Sequence, residues 1–122
     1  MQPITDLFLD GEKKGHRYIV YVTYLGDVNA REVLLTGKCF FYLAKLAVAR
    51  GNGQGWIHRN EIEPEGNQSQ WIYRLKQDLG IEIEADRRSN YRLTISPKVI
   101  RFKDELKHFD DARVRGLFEE VV

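Results

Sequence analysis

The amino-acid sequence predicts an α+β domain from three patterns. The first third is strand-like, one helix is apolar over most of its circumference, and an amphipathic helix runs directly into an alternating hairpin. The chain has 122 residues, long enough for one hydrophobic core. Hydrophobic residues make up 43% and charged residues 30%, proportions that exclude a chain disordered by composition. No apolar run approaches the ~20 residues that span a bilayer. The opening MQPITDLFLDGEKKG has no basic stretch followed by an apolar one, so no signal peptide is expected. A reducing, cytoplasmic setting without a membrane partner is the expectation. The Met1 start and the tail point to a whole protein rather than an excised domain.

Residues 16–25 (HRYIVYVTYL) are aromatic and β-branched, which suits a packed, pleated strand. Gly26-Asp27 marks a turn, and 28–35 follows as the partner strand. A shorter strand over 4–9, ended by Asp10-Gly11, completes an N-terminal antiparallel sheet. Thr36 then reads as a helix N-cap. Over 38–50, Phe40, Phe41, Leu43, Leu46, Ala47 and Val48 leave only a narrow polar stripe at Lys38 and Lys45, the mark of a buried central helix. The glycine run at 51–55 lacks the Gly-Lys-Ser/Thr ending of a phosphate loop and reads as a connector.

A short helix over 58–62 fits before Pro64. The next helix, 68–79, is the clearest in the chain, with Asn67 as its cap and Gly80 at its C′ position. Ile72, Leu75 and Leu79 share one face with Trp71 at its edge, while Gln70, Tyr73, Arg74 and Gln77 lie opposite. Alternating runs at 81–85 and 91–95 flank Asp86-Arg87-Arg88-Ser89-Asn90 and form a hairpin with one wet face, which Pro97 stops. The tail from 104 to 122 reads as a helix whose apolar face (Leu106, Phe109, Leu117) is interrupted by Arg113; it is expected to pack back on the domain, with pairing to a second copy or another protein as the alternative. The domain therefore spans 1–97, with a C-terminal helical extension over 98–122.

Strands, a three-helix core and a terminal hairpin, in that order, make a winged helix-turn-helix with an N-terminal sheet and an extra C-terminal helix. The formal net charge is only +1, but it is unevenly placed. From 68 to 103, eight basic side chains face four acidic ones, leaving +4; from 104 to 122, six acids against three bases leave −3. Catalytic, metal and cofactor chemistry finds no pattern. Cys39 is alone and reads as a small buried hydrophobe, and His16, His58 and His108 match no metal spacing. Ser69 and Ser89 have no histidine at a motif spacing. The acidic pairs Asp110-Asp111 and Glu119-Glu120 read as solvated surface. RNA binding would call for an aromatic-basic sheet motif that the chain lacks.

Leu35-Thr36 leading into FFYLAKLA, then WIHRNEI, QWIYRLKQDLG and the hairpin ending Asn90-Tyr91-Arg92-Leu93 resemble the winged-helix output domains of OmpR/PhoB-type response regulators. The likeness covers roughly residues 16 to 96. The second helix is shorter than the family's, Asn90 stands where the family has glycine, and no receiver domain is expected ahead of the region. The resemblance implies sequence-specific binding of double-stranded DNA by a transcriptional regulator, with helix 68–79 in the major groove and the 81–95 hairpin as wing.

In such a fold Arg74 can contact guanine in bidentate fashion, Gln70 or Gln77 can pair with adenine, and Tyr73 can touch a phosphate or a thymine methyl. Arg87 and Arg88, with Ser89 and Arg92, are the wing candidates. Arg59, beside His58 at the start of the short helix, is a candidate phosphate contact. Any one of these alone would ordinarily be solvated; their coincidence on the two elements that such a fold turns to DNA carries the reading. Trp71 and Tyr91 read as core, and Lys38 and Lys45 as solvated. Glu61, Glu63 and Glu65 place negative charge beside the proposed face and oppose tight binding. The expected partners are double-stranded DNA, a second copy of the chain through the C-terminal helix, and RNA polymerase or another regulator. The alternative is a winged helix used as a protein-interaction module, because fold does not fix function.

Overall fold

A computed structural model describes residues 3–119. The chain is a mixed α+β protein. In order it forms β1 (Ile4–Lys14), β2 (Arg17–Tyr24), β3 (Arg31–Leu35), α1 (Gly37–Gly51), β4 (Ile57–His58), α2 (Arg59–Ile62), α3 (Gln68–Leu79), β5 (Ile83–Ala85), β6 (Asn90–Leu93), β7 (Ile100–Phe102) and α4 (Ala112–Phe118). Short 3-10 turns at Pro97–Val99 and Asp104–His108 flank β7. Among the described residues no helix is long and apolar enough to cross a membrane.

The first sheet has the order β3-β2-β1-β7. Leu7 and Leu9 of β1, Val20 and Val22 of β2, and Leu35 of β3 are fully buried, the period-2 pattern of a sheet with one face on the core. Two features depart from the expected sheet. Strand β1 does not stop at Asp10-Gly11 but bends there and continues to Lys14, with its register against β2 shifting between Leu9 and Lys13. Gly11 takes φ +78 at the bend and sits where a Cβ would lie 2.7 Å from Leu106 and 2.9 Å from Phe109. The sheet is also not purely antiparallel. β7 pairs with β1 in parallel, Leu7 opposite Ile100 and Leu9 opposite Phe102, so the segment after Pro97 returns to the first strand ahead of the tail. A parallel pairing needs a long crossover, and here every element from β2 to β6 supplies it.

Helix α1 is the centre of the molecule. Thr36 caps it, its hydroxyl accepting from the Cys39 amide at 3.3 Å. Cys39, Phe40, Phe41, Tyr42, Leu43, Ala44, Leu46 and Ala47 are all buried. One side packs on the first sheet and the other on α3 and β6. Burial pushes the Cys39 thiol up, in keeping with a packing role rather than a reactive one. Phe40 stacks on Phe109 with centroids 5.1 Å apart, and Tyr18 closes the cluster 5.0 Å from Phe109.

The second sheet has the order β4-β6-β5, all antiparallel. Strand β4 was not expected, since two residues show no periodicity; it pairs Ile57 with Tyr91 and His58 with Asn90. Helix α3 has the expected bounds and ends at Gly80 in the left-handed region (φ 61, ψ 30), whose amide donates to the Lys76 carbonyl at 2.8 Å. Its start differs: Asn67 makes no side-chain cap. The Asn67 side-chain amide instead donates to Gln70, and its oxygen accepts from the Ser69 hydroxyl.

The tail is not one helix. It makes a 3-10 turn, breaks at Phe109, and resumes as α4 behind Asp111, whose carboxylate accepts from the Arg113 amide at 2.9 Å. Residues 120–122 of the expected helix lie outside the described residues. Leu106, Phe109 and Val114 are buried against the domain and Leu117 packs on the same core. The tail's apolar side chains thus pack back on the domain, the arrangement expected ahead of pairing with a second copy.

Gly11→Ala adds a methyl group to a full contact and forces a left-handed φ. We expect it to cost roughly 2–4 kcal/mol, read as a lowered urea midpoint with unchanged m-value.

Candidate nucleic-acid interface

Helix α3 buries Ile72, Leu75 and Leu79 and turns Gln70, Tyr73, Arg74 and Gln77 outward, all four exposed. Tyr73 stands out: it is 64% exposed, which is unusual for a large ring. Arg74 lies over the ring of Trp71, 5.6 Å from its centroid, and Gln70 is steadied by the 3.0 Å bond from Asn67. Trp71 is partly buried against the core, as expected of it. Gln68, the first residue of the helix, is buried and donates to the Glu63 carbonyl at 2.7 Å. No sequence signal separated it from Gln70, because position on the first turn alone decides which glutamine points in.

The β5–β6 tip is folded around one carboxylate. Asp86 accepts from the Arg88 amide at 2.8 Å, from the Asn90 amide at 2.9 Å and from the Asn90 side chain at 2.8 Å, while its own amide donates to the Asn90 carbonyl. These bonds, the Asn90 side chain foremost, hold the Asp86 carboxyl below the ordinary Asp value. The residue with positive φ is Ser89 (φ 64), not Asn90; Asn90 is instead the first residue of β6. Arg87 and Arg88 are exposed, and among the described residues neither forms an ion pair.

The tip is anchored at its root. Beside the β4–β6 pairing, the Arg59 amide donates to the Ser89 carbonyl at 2.9 Å. Arg59, exposed at the start of α2, therefore adjoins Ser89, and the two candidates lie together beside the hairpin's tip. Arg92 departs from the expected set. It lies over Trp56, 4.4 Å from the ring centroid, and pairs with Glu84 at 3.0 Å. Its charge is matched within the hairpin, so it is a strand-bracing residue rather than a free cation.

Of the three glutamates that oppose anion binding, Glu61 and Glu65 are exposed. Glu63 is turned inward. Its carboxylate is bonded by Lys38, accepts from the Tyr42 hydroxyl at 3.3 Å and lies 3.7 Å from Arg113. Burial, reinforced by Glu63, pushes the Tyr42 hydroxyl far up. Lys38, expected to be solvated, is the cation nearest this carboxylate. One of the three objections is therefore neutralised inside the protein.

Among the described residues no group of three or more His, Cys, Asp or Glu side chains is arranged to hold a metal. Comparison with protein-family models, curated proteins and solved structures finds no match to this chain.

Asp86 has a lowered folded value, so its contribution to tip order is present above the ordinary Asp value and is lost as pH falls through the lowered one. The Arg88 and Asn90 amide resonances are expected to titrate together with a midpoint below the ordinary Asp value. Asp86→Asn should abolish that titration.

Proposed function

We propose that this chain is a winged helix-turn-helix domain that binds double-stranded DNA, with α3 in the major groove and the β5–β6 hairpin as the wing. The observation that carries the reading is the sorting of charge. Arg92, Arg101 and Arg113 are each paired with a carboxylate, whereas Arg74, Arg87 and Arg88 stand exposed on the two elements such a fold turns to DNA. The order α1, β4, α2, α3, β5, β6 behind a four-stranded sheet supports kinship with OmpR/PhoB-type output domains, and with it a role in transcriptional regulation. The free, buried Cys39 suits a cytoplasmic setting.

Gln70, Tyr73, Arg74 and Gln77 would read base edges and adjoining phosphates. Arg87 and Arg88 would meet the backbone or minor groove, on a tip already stiffened by Asp86 so that little ordering remains to be done on binding. Ser89 and Arg59 would add contacts beside it. A second reading, a protein-docking face, is favoured by exposed Glu61 and Glu65 and by the net charge of only +1.

Fluorescence anisotropy with a mixed-sequence duplex across a salt series separates the two. Binding that weakens steeply with salt is expected. Arg87→Ala/Arg88→Ala should reduce the log–log salt slope by roughly 1.8, about 0.9 for each phosphate that is no longer neutralised. On a selected site, Arg74→Ala should cost roughly 1–3 kcal/mol at a single base position. Folded protein that binds no duplex near 50 mM salt would leave the docking face as the better account.

A further inference from the structure

Arg113 breaks the apolar face of the tail, and its surroundings give it a role. Its guanidinium lies 4.4 Å from the Phe41 ring centroid and is held by Asp111 through bonds of 3.2 and 2.9 Å. From there it reaches the Glu63 carboxylate at 3.7 Å. Glu63 in turn ties together all four helices. Its amide donates to the Arg59 carbonyl of α2, its carboxylate binds Lys38 and Tyr42 of α1 and meets Arg113 of α4, and its carbonyl accepts from Gln68 at the start of α3.

The turn that follows, Pro64-Glu65-Gly66-Asn67, is exposed throughout. It has no apolar residue buried in the core to fix the angle between α2 and α3. Ile62 on α2 and Ile72 and Leu75 on α3 are buried on either side of the turn, and Glu63, bonded through its carbonyl to Gln68, supplies the polar tie across it. A carboxylate only 12% exposed stays inward only if its charge is compensated. Lys38 compensates it from α1, and Arg113 closes the open side.

We propose that Arg113, acting through Glu63, is a positioning residue for α3, so that the C-terminal segment is part of the apparatus that aims the recognition helix. The proposal rests on the DNA reading above. Base-edge contacts demand side chains placed to within ~0.5 Å, whereas the wing's phosphate contacts tolerate more. Removal of Arg113 should therefore damage discrimination more than general affinity.

The test uses the full chain with Arg113→Ala and Arg113→Lys. Each is measured on a selected site and on a mixed-sequence duplex, together with thermal stability and amide hydrogen exchange without DNA. For Arg113→Ala, affinity for the selected site should fall about five- to tenfold, a size typical of coupled neighbours. Mixed-sequence affinity and the salt slope should stay within about twofold. The Gln70 and Trp71 amides, both bonded to the Asn67 carbonyl, should exchange faster, and Arg113→Lys should recover part of each effect. Undiminished discrimination with unchanged exchange at those amides would overturn the positioning role and leave the DNA reading intact. Equal losses on both duplexes, in step with a fall in Tm, would also overturn it, as a purely structural effect. If the wild type binds neither duplex, the DNA reading fails, and faster exchange in Arg113→Ala alone still decides whether Arg113 holds α3.

Discussion

The structure depends on the burial of α1 from both sides. A helix that packs one face can slide or rotate at modest cost; one that packs nearly all round has a single seat. Phe40, Tyr42, Leu43 and Leu46 have no exposed surface, and large side chains of this kind contribute about 1.5–3 kcal/mol each when withdrawn from water. The first sheet, α3, β6 and the tail are the walls of that seat. Each of them packs on the same helix, and Thr36 sets where that helix begins.

Much of this was legible because it rests on periodicity. The alternation in β2, the apolar circumference of α1 and the 3.6-residue pattern of α3 are local signals, and Gly80 marks its stop by the backbone conformation it permits. What could not be read shares a different property: it depends on partners distant in sequence. β4 is two residues long and exists because β6 lies beside it. β7 looks like three residues of linker until β1 is placed next to it. The tail is divided by Phe109, which leaves helical geometry to stack on Phe40. Ser89 rather than Asn90 takes the left-handed conformation at the tip, because the Asp86 carboxylate captures both the amide and the side chain of Asn90.

The same limit applied to charge. In the sequence Glu61, Glu63 and Glu65 are three equivalent acids, and Arg87, Arg88 and Arg92 three equivalent bases. Folding separates each trio. Glu63 is taken inside by Lys38 and Tyr42, and Arg92 is taken by Glu84 and Trp56, while the remaining four stay exposed. Net charge over a segment overstates what a ligand can meet, because a matched ion pair presents little field beyond its own length. The residues left over after internal pairing are the better guide to an interface than the composition of the segment.

The parallel pairing of β7 with β1 bears on how the chain is made. Asp6 and Arg101, bonded through both carboxylate oxygens, stand 95 positions apart, so β1 emerges from the ribosome long before the strand that covers its outer edge. During that interval it is an open template for another nascent chain. Asp6 and Asp10 lie along the strand that waits, and their later partners, Arg101 and Lys103, arrive with β7 and the residue after it. Until then two copies of β1 brought side by side in register would set carboxylate against carboxylate. Charged side chains along an open edge disfavour such pairing, and here the same acids end in ion pairs with β7 and the residue after it.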